Sequence, residues 1–201
     1  MRKIITTTFV TLDGVMQAPG GPNEDTSSGF KYGGWIANYW DDMMSVILNG
    51  FMSIPFELLL GRKTYDIFAS YWPTANTDHS VTKPFNSTKK YVISHQPLQL
   101  SWNNSESITG DVVEEIKKLK AKDDPDLWVH GSGNLIQTLL KHHLIDRMHI
   151  WEFPVTIGGG KQLFANGTQA DSFRLIDSKS STTGVVIRTY EPAGALITGS
   201  V

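Results

Sequence analysis

The hydrophobic positions of the chain form two kinds of pattern, short continuous runs and helically spaced stripes. Continuous apolar or β-branched runs occur at residues 3–10, 56–60, 90–94, 127–130 and 148–155. Runs of this length and composition are typical of buried strands. A further pair of runs, 173–178 and 185–190, flanks a turn near Gly184 and predicts a terminal hairpin.

Between these runs, apolar residues recur every three or four positions, which predicts amphipathic helices. The longest stripe covers residues 35–52, and shorter ones follow Gly61, Asp111 and Gly133. Asp111 is placed to cap a helix that runs to about Lys122, with Glu114 at its third position. Strands that alternate with helices and end in a hairpin predict an α/β fold with a mixed, mostly parallel central sheet and an antiparallel C-terminal hairpin.

The segment 17–34 is rich in glycine, proline and asparagine and is too long for a plain connector. Loops of this length in compact domains are often lids or binding loops, so we predict a lid with Gly33 and Gly34 as its hinge. No repeat or linker divides the chain. We therefore predict a single domain over residues 1–192 and a flexible C-terminal tail over 193–201.

Composition narrows the function classes. The formal net charge of −2 gives no basic excess of the kind that nucleic acid or an anionic membrane attracts. The chain has no cysteine, which excludes disulfides, thiolate zinc sites and cysteine nucleophiles. The adjacent His142 and His143 lack a zinc signature, so no metal site is predicted. With no signal segment or membrane-length apolar run, we expect a cytoplasmic protein.

Two segments share one design, an apolar strand followed by a glycine turn and a helix start. They are LLLGRKT at 58–64 and WVHGSGNL at 128–135. A helix N-terminus offers unpaired N–H groups and a partial positive charge, which suit a phosphate. Arg62 and Lys63 add two cations that would suit the extra phosphate of NADP. The alternative is that each glycine merely ends a strand and that both cations are solvated.

The order of these motifs resembles the dihydrofolate-reductase-like group that includes the reductase domain of riboflavin-biosynthesis enzymes. The matching segments are TLDG at 11–14, LLLGRKTY at 58–65, YVIS at 91–94, WVHGSGNL at 128–135, LIDR at 144–147 and PVTIGGGKQLF at 154–164. The resemblance spans residues 3 to about 191. It implies a three-layer dihydrofolate-reductase-like fold, a homodimer and the cofactor NADPH.

The resemblance also implies which residues bind the cofactor. Gly61, Arg62, Lys63 and Thr64 would hold phosphates on the adenosine side, and Ser94 and His95 would lie near the adenine ribose. The pyrophosphate would be bound by Gly131, Ser132, Gly133, Asn134 and Leu135. Trp35 and Ile36 resemble a pair that begins the helix beside the nicotinamide, although Trp35 could equally anchor that helix in the core.

Two departures concern the substrate. The riboflavin reductases usually carry a carboxylate where this chain has His130, and a basic or small polar residue where it has Val15. We therefore expect hydride transfer from NADPH to a small heterocyclic substrate, similar to 5-amino-6-(5-phosphoribosylamino)uracil reductase or dihydrofolate reductase. Candidates for polarising the substrate are Asp13, Asp41 and His130, with Glu152 as an outside choice. The alternative function is a non-catalytic NADP(H)-binding module.

Overall fold

An eight-stranded mixed sheet forms the centre of the molecule in a computed structural model, which describes residues 1–200. The strands are β1 (Ile4–Thr11), β2 (Phe56–Gly61), β3 (Lys90–Ile93), β4 (Ser105–Ile108), β5 (Asp126–His130), β6 (Arg147–Phe153), β7 (Asp171–Ser180) and β8 (Val186–Ala195). Their order is β4-β3-β2-β5-β1-β6-β8-β7. The first six strands of this order run parallel, while β8 is antiparallel to β6 and β7.

Helices cover both faces of the sheet. They are α1 (Asp42–Met52), α2 (Arg62–Tyr71), α3 (Thr82–Ser87), α4 (Val112–Ala121) and α5 (Gly133–Lys141). One apolar cluster joins α4 and α5 to the sheet, and a second joins α1, α2 and α3 to the opposite face. Adjacent residues of β1 serve the two clusters, since Ile4 belongs to the first and Ile5 to the second. The predicted three-layer α/β fold with an antiparallel C-terminal hairpin is confirmed.

The helix predicted over residues 35–52 is wrong in its first part, because the α-helix begins only at Asp42. Residues 37–39 form a short 3-10 turn, and the backbone of Trp40 and Asp41 is extended. Asp41 caps α1 by accepting a hydrogen bond of 3.0 Å from the Met44 amide. Ile36 and Trp40 pack against the same cluster as the helix. The spacing of Ile36 and Trp40 therefore reflects their burial in this cluster and not a helical backbone.

Other predicted elements differ mainly at their ends. Asp111 caps α4 as predicted, accepting from the amides of Val113 and Glu114. The short helix α3 and the edge strand β4 were not predicted. Strand β8 continues to Ala195, so its last residues lie in the segment that we assigned to the tail. Over residues 1–200, no helix is both long and apolar enough to cross a membrane.

Candidate active site

The two predicted glycine turns lie side by side at the carboxyl edge of the parallel strands. Strands β2 and β5 are direct neighbours in the sheet, so the helices that follow them begin next to each other. The Gly61 amide donates to Ser132 Oγ at 3.0 Å, and the Ser132 amide donates to Thr64 Oγ1 at 3.0 Å. These reciprocal bonds join two segments about seventy positions apart in sequence. The turns therefore form one structural unit, which we call the paired cradle (residues 61–64 and 131–135).

Both helices of the paired cradle begin without a side-chain cap. Gly61 precedes α2 and Ser132 precedes α5, and neither supplies a capping hydrogen bond. In contrast, aspartate side chains cap α1 and α4. The first N–H groups of a helix have no intrahelical partner, so those of α2 and α5 are available to an anion.

The backbone of the second turn is held in an unusual conformation. Gly131 and Ser132 both have φ of +56°, in the left-handed region. Only glycine adopts this conformation without cost, so a serine here indicates that the surroundings impose it. A Cβ on Gly131 would lie 3.5 Å from the Thr64 side chain. The turn thus presses directly against the start of α2.

The remaining cradle residues contribute in different ways. Leu135 is buried in the apolar cluster, whereas Asn134 is exposed. Gly133 carries no side chain, and a Cβ there would meet Met16 Sδ at 3.0 Å. Ser94 directly follows β3, whose Ile93 is in register with Gly61. Ser94 therefore lies at the same edge, and the next residue, His95, is exposed.

The two predicted phosphate-binding cations have partners in this structure. Arg62 Nε lies 2.7 Å from Asp66 Oδ2, one turn along α2, and both side chains are about half exposed. Lys63 Nζ donates to Ser27 Oγ at 2.9 Å. Ser27 belongs to the predicted lid, so Lys63 connects the lid to the start of α2.

The two ends of the lid are hydrogen-bonded to each other and form a narrow neck. The Gly34 amide donates to the Ala18 carbonyl at 2.8 Å, and Trp35 Nε1 donates to the Gln17 carbonyl at 2.9 Å. The Trp35 ring meets that of Phe153 edge-on at 5.3 Å. Gly33 is so tightly packed that a Cβ would come within 2.5 Å of the Gly21 carbonyl. Trp35 thus fastens the lid's neck to the core rather than beginning α1.

Two of the acid–base candidates bind backbone amides. Asp13 accepts from Thr11 Oγ1 and from the amides of Ile157 at 3.1 Å and Gly158 at 2.6 Å. The hydrogen bond from Thr11 and those from the two amides hold the pKa of Asp13 below its ordinary value. Asp13 thereby attaches the loop after β1 to the glycine loop 157–160 after β6.

Asp41 also has a structural position. Besides capping α1, its carboxylate accepts from the amide and hydroxyl of Thr182 at 3.0 and 2.9 Å. The hydrogen bonds from the Met44 amide and from Thr182 lower the pKa of Asp41. Glu152, the outside choice, forms a paired contact with Arg188 at 3.0 Å through both oxygens. Asp41 and Glu152 therefore bind to the hairpin strands or their turn.

His130 lies within an aromatic cluster. Its ring is 5.1 Å from Phe85 and 6.0 Å from Trp128, and its buried Nε2 has no hydrogen-bond partner among the described residues. Burial, assisted by the nearby His149, lowers the pKa of His130 to about 4. The imidazole is consequently neutral at pH 7 and holds no proton that it could give up as an imidazolium.

Sequence reasoning missed four residues in the loops beside the paired cradle. Met16 lies over the start of α5, and Gln17, Asp25 and Lys161 connect the lid to the glycine loop. Lys161 belongs to a motif that the sequence singled out, but nothing in its spacing predicts an aspartate 136 positions away as its partner.

A cavity of about 390 Å³ lies beside these residues, between lid residues 27–32 and loop residues 157–160. Phe30 and Tyr32 supply its aromatic wall, and Gly158, Gly159 and Gly160 supply exposed backbone. It stands at the carboxyl edge of β1 and β6, next to the paired cradle in the strand order. Within residues 1–200, no group of three or more His, Asp or Glu side chains is arranged to hold a metal ion.

Comparison with known proteins places this geometry in a family. The chain is 29% identical over 192 residues to the uncharacterized protein YyaP of Bacillus subtilis (strain 168). The aligned region covers 94% of each of the two chains. It is similar to a structure from Shewanella sp. PV-4, described as a candidate riboflavin biosynthesis protein. That comparison has a TM-score of 0.71 and 25% identity, and covers 94% of this chain and 98% of the other.

The fold extends to more distant proteins. Dihydrofolate reductase from Enterococcus faecalis superposes with a TM-score of 0.60 at 13% identity, covering 95% of this chain and 96% of that one. The model of the RibD C-terminal domain matches residues 2–187, nearly the whole chain. With its dihydrofolate-reductase-like sheet and paired cradle, the chain belongs to the RibD C-terminal domain family, and this membership supports a reductase-type function.

Proposed function

We propose that this protein is an NADPH-dependent reductase that transfers hydride to a carbon–nitrogen or carbon–oxygen double bond of a small heterocyclic substrate. The observation that carries the proposal is the paired cradle, in which two uncapped helix starts are joined by reciprocal hydrogen bonds of 3.0 Å. Two adjacent sets of free N–H groups fit the two phosphates of a dinucleotide.

The relatives support the cofactor and the reaction class. The structure of the Enterococcus faecalis dihydrofolate reductase is of a complex with NADP(H). The Shewanella relative is described as a candidate riboflavin biosynthesis protein. We carry over from them a nicotinamide cofactor and a flat, nitrogen-containing substrate. We also expect the protein to act in the cytoplasm and as a homodimer.

The chain's own residues would divide the work of binding. Backbone amides of Gly131, Gly133, Asn134 and Leu135 would bind the pyrophosphate, and Ser132, whose own amide donates to Thr64 Oγ1, would hold the turn in place. Arg62, Lys63 and Thr64 would hold phosphates on the adenosine side, and Ser94 and His95 would border the ribose. NADPH supplies the hydride, so the protein needs to orient the two reactants and exclude water.

The proposal assigns Asp13 an orienting part near the reaction. Its carboxylate lies at the carboxyl edge of β1 and, with a lowered pKa, is ionised at neutral pH. An ionised carboxylate attracts a protonated ring nitrogen or accepts its N–H, and it fixes the Gly158 loop beside the aromatic cavity of about 390 Å³. Asp41 would contribute only indirectly, by capping helix α1. Neutral His130 would contribute by packing against Phe85 and Trp128.

Binding and turnover can be measured separately. We expect bound NADPH to quench tryptophan fluorescence, because reduced nicotinamide absorbs at the wavelengths where tryptophan emits and Trp35 lies at the neck of the lid. Pteridines and aminopyrimidines are then screened for oxidation of NADPH, followed by the loss of reduced-nicotinamide absorbance. Oxidation that depends on both enzyme and heterocycle supports the proposal. Absence of binding for both NADPH and NADH overturns it.

A second function, a non-catalytic NADP(H)-binding module, is favoured by one observation. The three acid–base candidates are either committed to structural hydrogen bonds or buried and neutral. A module of this kind would bind NADPH without oxidising it in the presence of any heterocycle. The same screen therefore separates the two functions, because only the reductase consumes the cofactor.

A further inference from the structure

Asp25 of the lid lies between two lysines from distant parts of the fold. Its carboxylate is 3.2 Å from Lys63 Nζ, at the start of α2, and it also accepts from Lys161 Nζ, in the glycine loop. Ser27 Oγ lies 2.9 Å from each of the same two nitrogens. The Asp25 side chain is only 9% exposed, so the two ammonium groups enclose it. We call Lys63 and Lys161 the lysine pair, and the side chain of Asp25 its carboxylate.

Gln17 links the backbone of the Asp25 segment to the backbone of Lys161. This buried side chain donates to the carbonyls of Asp25 and Ser27 at 3.0 and 3.1 Å and accepts from the Lys161 amide at 3.0 Å. Although burial raises it, the hydrogen bonds from Lys161, Ser27 and Lys63 hold the pKa of Asp25 well below its ordinary range. The carboxylate is therefore anionic at every pH where the protein would act.

We propose that the lysine pair is an anion-binding site, which Asp25 fills in the free protein and which a phosphate group of the bound dinucleotide takes over. The inference rests on the proposed function for the identity of that phosphate. It assigns to Lys161 a cofactor-binding part that no motif indicated. It also makes the lid a competitor, because the Asp25 segment must leave the lysine pair when the phosphate arrives.

The chemistry of the pair supports this exchange. A carboxylate and a phosphate oxygen accept the same charge-assisted hydrogen bonds from ammonium groups, and the phosphate carries more charge. Lys63 directly follows Arg62 in the first turn of α2, so the pair borders the paired cradle. Met16, which precedes the lid, lies over the start of α5 and donates its amide to the Lys161 carbonyl at 2.7 Å. Departure of the Asp25 segment would thus uncover the α2 half of the cradle.

Competition has a measurable signature. A site that its own chain occupies binds an external ligand more weakly, in proportion to the fraction of molecules in which the site is free. Asp25→Asn should therefore tighten NADPH binding about tenfold. Lys161→Gln should weaken it about ten- to fiftyfold, through the loss of a charge-assisted bond. In the Lys161→Gln background, Asp25→Asn should gain less than in the wild type, since the two residues act through one contact.

The matched control is Glu24→Gln. This neighbouring substitution removes the same charge from the same loop, while the new amide oxygen can still accept from the Gly20 amide that Glu24 binds at 2.6 Å. We expect a change of less than about twofold in affinity, because Glu24 does not contact the lysine pair. An equal gain in Glu24→Gln and Asp25→Asn would show that only net charge matters and would overturn the inference.

Titration calorimetry with NADPH and with inorganic pyrophosphate separates this inference from the proposed function. If NADPH binds the wild type but Asp25→Asn and Lys161→Gln leave its affinity unchanged, the lysine pair is not the site and the cofactor proposal stands. If pyrophosphate responds to both substitutions as expected while neither NADPH nor NADH binds, the anion site stands and the cofactor proposal fails. Failure of pyrophosphate and NADPH to bind any variant overturns both.

Discussion

Arg62 is the residue that would distinguish NADPH from NADH. Its Nε is engaged by Asp66, but the side chain is 52% exposed, and its two terminal nitrogens make no hydrogen bond among the described residues. A guanidinium can hold a phosphate through two parallel bonds, which a 2′-hydroxyl does not match. In the proposed function, selectivity for the phosphorylated cofactor would therefore depend on this exposed side chain, whereas the pyrophosphate would be bound by backbone.

We predict that Arg62→Ala weakens NADPH binding by about 1.5–3 kcal/mol and changes NADH binding much less. Fluorescence titration of both cofactors measures the difference. Arg174→Ala is the matched control, since Arg174 is also exposed and also contacts a carboxylate, that of Glu191. Equal weakening of the two cofactors by Arg62→Ala would reject its assignment to the extra phosphate.

At the scale of elements, the sequence predicted correctly the helices whose first residues include a capping side chain or a turn-forming glycine. Asp111 marks the start of α4, and glycines mark the starts of α2 and α5, because capping and turn chemistry are local. The start of α1 was misplaced by seven positions, since the apolar spacing of Ile36 and Trp40 continues through a non-helical segment. Edge strand β4 carries alternating serines and a glutamate, and its pairing with β3 alone defines it.

The candidate site was predictable to a similar extent. The paired cradle follows from two local motifs and the rule that carboxyl ends of parallel strands share an edge. The lysine pair and its carboxylate did not follow, because loop residues far apart in sequence meet only once the lid is placed. The hydrogen bonds that Asp13 accepts from Gly158 and Asp41 accepts from Thr182 likewise join segments more than 140 positions apart.

The opening of α5 allows a direct test of the cradle. Gly131→Val places a branched side chain, 3.5 Å from Thr64, where the pyrophosphate would bind. We expect loss of NADPH binding, measured by fluorescence titration, with cooperative unfolding in urea retained. Gly110→Val is the control, because Gly110 also has positive φ (+94°) and precedes α4, away from the cradle. If NADPH still binds Gly131→Val, the second half of the cradle has been assigned wrongly.

At the scale of the whole molecule, polar groups cross the core in one row. His130 on β5 and His149 on β6 both lie level with Thr7 on β1, so the two histidines stand on one face of the sheet with Thr7 between them. His149 Nδ1 lies 3.0 Å from Thr189 Oγ1 on β8. Burial lowers the pKa of each imidazole to about 4, with His149 adding to the effect on His130 and Arg147 to that on His149. Both rings are therefore neutral in the folded protein at pH 7.

This row predicts a loss of stability in mild acid. The unfolded chain takes up protons on these histidines near pH 6.5, whereas the folded protein resists protonation until about pH 4. The unfolded state therefore binds more protons between these values, and the free energy of unfolding falls as the pH drops through this window. The slope is about 1.4 kcal/mol per pH unit for each histidine. Carboxylates with a lowered pKa, such as Asp13, also stabilise the folded state, but that stability is lost only at lower pH, where carboxylates of the unfolded chain take up protons.

His130→Phe should remove one histidine's share of that slope and keep the aromatic contacts with Phe85 and Trp128. Between pH 6.5 and 5, urea unfolding should show the wild type losing roughly 2 kcal/mol more than His130→Phe. His142→Phe is the control, because it makes the same substitution at an exposed position beyond the end of α5. If His130→Phe and the wild type lose stability in parallel, His130 titrates alike in the folded and unfolded states, and its burial as a neutral ring must be rejected.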